Sequence, residues 1–186
     1  MRFRAVERTP FGAVGIVWSG SSDPPLVVRV LIPKPGLPVA AQVRTLYPRA
    51  EAGSNAGIDD LARRIKAFLE GEDIRFSLDS AGLSSCPPFQ RAVLRAEHGV
   101  PRGRVTTYGA LAAHLGRPGA SRAVGNALAS NPFPIIVPCH RAVRSDGSLG
   151  GYQGGLAMKR ALLRNEGVEV DAANRVVRPR FHYRKS

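Results

Sequence analysis

The stretch TTYGALAAHLGRPGASRAVGNALASN, residues 106–131, predicts two short helices with a break between them. Both flanks are rich in alanine, and GRPG in the middle contains two glycines and a proline, which end helices. The order helix, glycine-containing break, second helix is that of a helix-turn-helix. A pair of packed core helices produces a similar pattern, so the spacing alone leaves both interpretations open.

The second of these helices carries small residues around Arg122, namely Ser121, Ala123 and Gly125. A glycine inside a helix costs roughly 1 kcal/mol relative to alanine. Gly125 therefore indicates close approach on this face, either by another helix or by the wall of a narrow DNA groove.

Charge is distributed unevenly along the 186 residues, whose net charge is +13. Residues 1–85 contain 11 Lys and Arg against 9 Asp and Glu, a net of +2, whereas residues 86–186 contain 16 against 5, a net of +11. The second half favours a polyanionic partner, nucleic acid ahead of a membrane surface. No basic anchor helix and no apolar run of roughly 20 residues is present, so a membrane partner is not expected.

Just beyond the helix pair, NPFPIIVPCHRAV, residues 131–143, contains Cys139, one of two cysteines in the chain. The prolines at the start of this stretch mark a turn, and residues 135–137 predict a short buried strand. Pro138 presets the backbone that enters Cys139.

A cysteine becomes nucleophilic when a nearby His, Lys or Arg promotes the loss of its proton. His140 and Arg141 follow Cys139 directly, but successive side chains on an extended chain point apart. Activation of Cys139 by His140 therefore requires a tight turn or a bridging water, and a buried inert thiol is the alternative. Cys86, in the stretch SAGLSSCPP, has no such neighbours and is interpreted as inert.

Outward from this centre, the chain predicts an α+β fold. Short strands are predicted over residues 3–9, 13–19 and 26–33, with turns at 10–12 and 19–25, and helices over 58–71, 88–99 and 155–167. Pro88 near the start of the second of these helices is well tolerated. We expect a small N-terminal sheet-plus-helix domain of structural role over 1–80, a linker over 81–88, a mainly helical C-terminal domain with the helix-turn-helix over 89–170, and a loosely held basic tail over 171–186.

Metal and cofactor sites are not expected. The two cysteines are 53 positions apart and the four histidines are scattered, so no zinc-ligand spacing is present. GSLGGYQGG, residues 147–155, does not join a strand to a helix in the order of a dinucleotide-binding loop, and we interpret it as a close-approach loop with Tyr152 available for stacking. The N-terminus lacks the apolar segment of a secretory signal, so a cytoplasmic protein with reduced thiols is expected.

Three segments taken in order, VTTYGALA, SRAVGNALASNPFPIIVPCHRAV and GSLGGYQGGLAMKRALLRNEG, closely resemble the O6-alkylguanine-DNA alkyltransferase family, also called methylated-DNA–protein-cysteine methyltransferases. The resemblance runs from about residue 89 to residue 167. It implies that residues 89–170 form a DNA-binding and alkyl-transfer domain. The implied function is DNA repair by direct reversal: irreversible, stoichiometric transfer of an alkyl group from O6-alkylguanine in duplex DNA to the protein's own cysteine after base flipping. The implied partner is double-stranded DNA carrying O6-alkylguanine, bound by a monomer associated with the nucleoid.

The resemblance also implies a role for each matching residue. Cys139 is the nucleophile, His140 acts through a water as the base, Glu166 orients His140, and Tyr108 helps to rotate the nucleotide and donates a proton to guanine. The residues implied to contact DNA or the flipped base are Arg122, which fills the vacated place in the stack, Asn131, which holds the turn, the small face of Ser121, Ala123 and Gly125, the backbone contacts Gln90, Arg117 and Ser145, and the pocket walls Tyr152 and Gln153.

Two other functions fit parts of the pattern. A helix-turn-helix regulator with an incidental thiol would prefer one DNA sequence, whereas repair predicts affinity set mainly by phosphates and salt. A cysteine hydrolase would turn over repeatedly, but the chain lacks a third orienting residue with such a signature.

Overall fold

The computed structural model describes residues 1–20 and 25–183. Contacts divide the chain into two compact units. The first contains the described residues up to 85 together with Pro132–Ile136, and the second contains residues 86–131 and the described residues from 137 onward. The sheet lies in the first unit and most helices in the second, so the predicted α+β class is confirmed.

The first unit is built on a four-stranded sheet. Its strands are β1 (Arg2–Val6), β2 (Val14–Ser19), β3 (Leu26–Leu31) and β4 (Glu51–Ala52), in the order β3-β2-β1-β4. The first three pair antiparallel and β4 pairs parallel to β1. The three predicted strands are confirmed, while part of the turn predicted at 19–25 lies outside the described residues.

Two helices accompany the sheet, α1 (Val39–Leu46) and α2 (Ala56–Leu69). The predicted α2 is confirmed, and the Asn55 side chain caps it by accepting from the Ile58 N–H at 2.9 Å. Helix α1 was not predicted, because the prolines at 33, 35 and 38 directly before it favour a loop, although Val39, Val43 and Leu46 have helical spacing.

The second unit contains α3 (Pro88–His98), α4 (Tyr108–His114), α5 (Ser121–Ala129) and α6 (Gly155–Asn165). Two short parallel strands, β5 (Thr106–Thr107) and β6 (Ala142–Val143), lie between them in the chain. Helices α4 and α5 pack on each other and both pack on α3. The predicted helix pair is confirmed, and so is Pro88 in the first turn of α3. Among the helices of residues 1–20 and 25–183, none has the length and apolar character needed to cross a bilayer.

Two connecting segments differ from the prediction. Residues 81–88 were expected to form a linker, but Ala81 bridges to Val27 of β3 and Leu83 is buried, because the apolar side chains in this segment find a core to join. The C-terminal segment was expected to be loose, but up to residue 183 it packs on the second unit. Val176 joins a cluster with Leu163, and the Tyr183 hydroxyl donates to the Ala96 carbonyl at 3.0 Å.

The expected strand at residues 135–137 is absent. These residues are buried, but Ile135 has a φ of 78°, which is incompatible with an extended strand and rare for a β-branched residue. The Val30 N–H of β3 donates to the Pro132 carbonyl at 2.8 Å, which ties the start of this segment to the first unit. Prolines at 132, 134 and 138 supply no N–H donors, so a regular ladder cannot form here.

Candidate active site

Cys139 begins a single 3-10 turn, Cys139–Arg141, that directly follows Pro138. The Arg141 N–H donates to the Pro138 carbonyl at 2.9 Å and closes the turn. This is the tight turn that the sequence analysis required. Its side chains diverge: the Cys139 thiol lines a cavity, while His140 and Arg141 are directed to Glu166.

The cavity beside Cys139 has a volume of about 380 Å³, within the range of small-molecule sites. Tyr108, at the first position of α4, forms part of its wall, and α5 contributes Gly125, Leu128 and Ala129. The remainder comes from Arg144, directly after β6, and from the glycine-rich loop, which contributes Gly150, Gly151, Tyr152 and Gln153. Cys139 is 6% exposed, so its sulfur is reached through this cavity.

Asn131 connects α5 to the thiol. Its Nδ2 lies 3.2 Å from Cys139 Sγ and 3.2 Å from the Val137 carbonyl oxygen, so one amide donates to both. The backbone carbonyl of Asn131 accepts from Gln153 Nε2 at 2.8 Å. Asn131 therefore holds the sulfur through its side chain and the cavity wall through its backbone.

Glu166, at the C-terminal cap of α6, is the centre of a buried charge cluster. Its Oε1 accepts from His140 Nε2 at 2.9 Å. Arg141 donates to both carboxylate oxygens, from Nε at 2.8 Å and from a terminal nitrogen at 2.7 Å, and also to the Val100 carbonyl at 2.5 Å. Because an ionised carboxylate only accepts, Nε2 carries the proton and Nδ1 is the basic nitrogen of His140.

The pKa values in this cluster follow from burial and pairing. Burial alone would raise the pKa of Glu166, but His140 and the Arg141 hydrogen bonds lower it to about 2. Burial lowers the pKa of His140 more than Glu166 raises it, so the imidazole is neutral at pH 7. The turn thus presents a neutral imidazole with an ionised carboxylate at its back.

The basic residues that follow Cys139 in the chain do not hold its thiol in the ionised form. Burial raises the pKa of Cys139 to about 11, and the Asn131 hydrogen bond only partly opposes this. The physical reason is orientation, because the charge of Arg141 is neutralised by Glu166 and its side chain does not face the sulfur. The thiolate must therefore form during the reaction itself, when a base removes the proton of the thiol.

Tyr108 is half-buried at the start of α4, whose N-cap Thr107 accepts from the Ala110 N–H at 3.0 Å. Burial raises the pKa of Tyr108, and negative charge on Glu97 or Cys139 raises it further, so its hydroxyl stays protonated. A Cβ on Gly150 would come within 2.9 Å of this hydroxyl, which shows why the loop carries glycine there. Tyr152 lies edge-on to the His140 ring, with 6.3 Å between ring centroids.

The residues expected on the DNA-facing side of α5 lie together on its outer surface. Arg122 and Ala123 are exposed, and Ser121 and Gly125 are half-buried. The nearest atom to a Cβ built on Gly125 would be Tyr108 Cδ1 of α4 at 3.9 Å, so no described residue outside α5 comes closer than ordinary van der Waals contact. Of the two explanations for this glycine, an external partner is the one left open.

The expected backbone contacts are spread over three elements. Gln90 on α3 uses its amide nitrogen inside the protein, donating to the Ser130 hydroxyl at 2.9 Å and to the Ala127 carbonyl at 3.1 Å. Arg117 is exposed between α4 and α5, 5.7 Å from the Phe89 ring centre. Ser145 is exposed just after β6. Gln90 thus positions the C-terminus of α5, whereas the other two remain available to a ligand.

Four charged residues near the cavity were not predicted to belong to the site. Arg141 and Lys159 are buried around the turn, Glu97 is fully buried on α3, and Arg144 is exposed at the cavity wall. A signal existed for Glu97, because it shares a face of α3 with the buried Val93 and Leu94. Within residues 1–20 and 25–183 no group of three or more metal-ligating His, Cys, Asp or Glu side chains converges.

The Glu166 cluster predicts acid sensitivity with a defined sign. Unfolded Glu166 takes up a proton near its ordinary pKa of 4.5 and folded Glu166 only near 2, so its contribution is complete above 4.5 and is lost as the pH falls towards 2. This difference corresponds to about 3 kcal/mol of unfolding free energy. We expect urea denaturation between pH 5 and 2.5 to show this fall in the wild type and a flatter profile in Glu166→Gln. Equal slopes in the two proteins would contradict it.

Comparison with known proteins places this site among relatives. Residues 88–168 match the family described as 6-O-methylguanine DNA methyltransferase, DNA binding domain. The methylated-DNA–protein-cysteine methyltransferase of Salmonella typhimurium is 56% identical over 122 residues, which are 65% of this chain and 68% of that protein. The protein of the same name from Methanothermobacter thermautotrophicus is 43% identical over 114 residues, 61% of this chain and 64% of its own length, just under two thirds.

Solved structures extend the likeness to both units. Mycobacterium tuberculosis OGT in complex with DNA is 30% identical, with a TM-score of 0.71, and the match covers 90% of this chain and 93% of that one. The O6-methylguanine-DNA methyltransferase of the archaeon Pyrococcus kodakaraensis is 28% identical, with a TM-score of 0.67, covering 84% and 92%. The likeness therefore includes the sheet-containing part of the chain that the family model does not match.

Proposed function

Because this chain belongs to the family of methylated-DNA–protein-cysteine methyltransferases, we propose that it repairs DNA by transferring an alkyl group from O6-alkylguanine in duplex DNA to Cys139. The observation that carries this proposal is the cavity of about 380 Å³, which is lined by Cys139 and bordered by α5. A base turned out of the duplex is the class of ligand that such a pocket beside a helix-turn-helix would receive.

The proposed step is an in-line displacement. A bond forms between Cys139 Sγ and the alkyl carbon, the bond from that carbon to guanine O6 breaks, and its electron pair remains on guanine. The restored guanine then takes a proton from the Tyr108 hydroxyl. The thiol proton passes through a water to His140 Nδ1, and from the imidazole a proton returns to the Tyr108 oxygen. A thioether is not hydrolysed under mild conditions, so each molecule acts once.

The raised pKa of Cys139 explains why the reaction requires this proton transfer. A thiol with a pKa of about 11 is almost entirely protonated at pH 7, so its reaction depends on a base that acts when substrate is present. His140 is neutral and can accept a proton at Nδ1, and Glu166 stabilises the imidazolium that results. Asn131 donates to the sulfur and stabilises negative charge there.

The proposed DNA interface is the exposed face of α5. The small side chains of Ser121, Ala123 and Gly125 allow this helix to lie in a groove, and Arg122 is placed to fill the gap left by the flipped base. Arg117 and Ser145 are proposed backbone contacts, and Tyr152 and Gln153 proposed walls for the base. We propose a monomer acting on DNA in the cytoplasm, with a structural role for the first unit.

Arg144 is a further candidate DNA contact. It is the one charged residue lining the cavity, and its guanidinium has no hydrogen bond or ion pair with any described residue. A nucleotide entering the cavity brings its phosphate to the rim. We expect Arg144→Ala to weaken binding across sequences and to lower the slope of log affinity against log salt by about 1. Arg49→Ala, which removes an exposed arginine of the first unit, is the control, and equal slopes for both variants would remove Arg144 from the interface.

The direct test of the function is incubation with a duplex containing O6-methylguanine. Intact mass spectrometry should show one added methyl group per protein, peptide mapping should place it on Cys139, and the duplex should regain guanine in equal amount. An unmodified protein would refute the proposal. Binding to one undamaged DNA sequence with no adduct would instead favour a transcriptional regulator.

A further inference from the structure

Glu97 is a buried carboxyl that the proposed chemistry does not use. It lies in the last turn of α3 and has no exposed surface. Among the described residues no hydrogen bond of good geometry reaches either carboxyl oxygen, and the one donor that acts on them is the Ala142 N–H. A buried polar group left in this way costs free energy, and one next to a reactive centre calls for an explanation.

The surroundings of Glu97 link it to the reactive turn. Helix α3 packs against the turn Cys139–Arg141, and Arg141 donates to the carbonyl of Val100 just beyond α3. The charged and titratable groups close enough to Glu97 to share its electrostatics come from four elements: Lys159 of α6, Arg141 and Cys139 of the turn, Tyr108 of α4, and Tyr183 of the C-terminal segment.

Lys159 is a buried cation whose charge acts both on the thiol and on Glu97. It is fully buried, and its Nζ donates to the carbonyls of Ala142, at 2.6 Å, and of Leu149. Carbonyl acceptors of this kind suit an ammonium, which has donors only. Lys159 lowers the pKa of Cys139 and Glu97 raises it, so the two residues act on the sulfur in opposite directions.

Glu97 is set to change charge near neutral pH. Burial raises its pKa to about 8, against the opposing effects of Lys159, Arg141 and the nearby Ala142 N–H. Its place near the C-terminal end of α3, the negative end of the helix dipole, also disfavours a carboxylate. Below this pH the acid is neutral, and above it the carboxylate adds a negative charge that raises the pKa of the Cys139 thiol. Burial also lowers the pKa of Lys159 to about 8, so the ammonium is lost over the same range and does not cancel that charge.

We propose that Glu97 is a positioning residue for alkyl transfer: by adding a buried negative charge next to the reactive turn when it ionises, it limits formation of the Cys139 thiolate and sets the alkaline limit of the reaction. This inference rests on the proposed function. It also predicts a rate profile. The wild-type rate should rise with pH as the thiol becomes easier to deprotonate, then flatten once Glu97 is charged.

The test compares single-turnover alkyl transfer in the wild type, Glu97→Gln and the control Glu169→Gln, from pH 6 to pH 10. Glu169 is an exposed carboxylate of the same unit. We expect Glu97→Gln to match the wild type within about twofold at pH 6.5 and to be about tenfold faster at pH 9, which corresponds to one pKa unit on the thiol. Glu169→Gln should follow the wild type throughout. A purely structural Glu97 would change the rate by one factor at every pH, which would overturn the inference.

A second readout needs neither DNA nor repair activity. In a Cys86→Ser background, the pH dependence of Cys139 alkylation by iodoacetamide reports the thiol alone, and Glu97→Gln should lower its apparent pKa by about one unit. If the wild type transfers no alkyl group, the proposed function fails while this titration still decides the role of Glu97. Identical thiol titrations in the two proteins would refute it.

A further variant keeps the test decisive. Glu97→Leu removes the buried carboxyl and adds apolar packing, so it should fold if the glutamine does not and show the same gain at pH 9. A folded Glu97→Leu protein without this gain would overturn the inference.

Discussion

In the Cys139→Ser variant we expect no alkyl adduct after incubation with methylated duplex, while DNA binding remains within about twofold of wild type. A serine hydroxyl is far less acidic than a thiol, and the neutral His140 cannot deprotonate it to a useful extent. The side chain occupies the cavity wall and is absent from the outer face of α5, so the proposed interface is unaffected. Intact mass spectrometry and fluorescence anisotropy with the same duplex measure the two properties.

Cys86→Ser is the matched control for this prediction. Cys86 is also buried, but it lies ahead of α3 and does not line the cavity. This variant should accept one alkyl group like the wild type. An adduct that persists in Cys139→Ser, or disappears in Cys86→Ser, would show that the wrong sulfur has been assigned.

Replacing Arg141 with leucine should cause the largest loss of stability of any change near the site. Arg141 forms two hydrogen bonds to Glu166 and one to the Val100 carbonyl, all in the interior. Without it the Glu166 carboxylate stays buried beside a neutral His140 with no opposing charge, and removing one member of a buried pair costs about 3–5 kcal/mol. We expect urea denaturation to show a fall of this size and alkyl transfer to drop with it, because His140 is no longer held.

The comparison for this prediction is Arg175→Leu. Arg175 pairs with Asp146 at 3.5 Å, and both side chains are about half exposed. A surface pair of this kind contributes roughly 0–1 kcal/mol, so this variant should remain close to the wild type. If the two variants lose similar amounts of stability, the buried cluster is not what holds the turn.

Much of the site was predictable because its parts are close together in the chain. The helix pair of residues 106–131, the proline before Cys139 and the glycine-rich loop each depend on local backbone preferences, which residue types express directly. The start of α3 at Pro88 and the apolar face of α2 were predictable for the same reason. The likeness of the three segments to one family supplied residue roles that periodicity cannot supply.

Where prediction failed, distant parts of the chain decided the result. Residues 132–136 belong to the first unit and are bonded to β3, so the strand expected at 135–137 does not form. The C-terminal segment up to residue 183 packs against the second unit. No local pattern encodes such partners. The helical spacing of Glu97 predicts that it is buried, but no local pattern predicts that it lies near Lys159.

The sequence by itself determined which atoms are available for the chemistry: a cysteine preceded by proline, followed by histidine and arginine, and placed after a helix-turn-helix in a basic half. Only the tertiary structure decided their states of charge. Arg141 lies next to Cys139 in sequence yet is neutralised by Glu166, while Glu97 and Lys159, 42 and 20 positions away, affect the pKa of the thiol. The reason is that electrostatic interaction and burial depend on distance in space and on exclusion of water, and neither is set until the chain has folded.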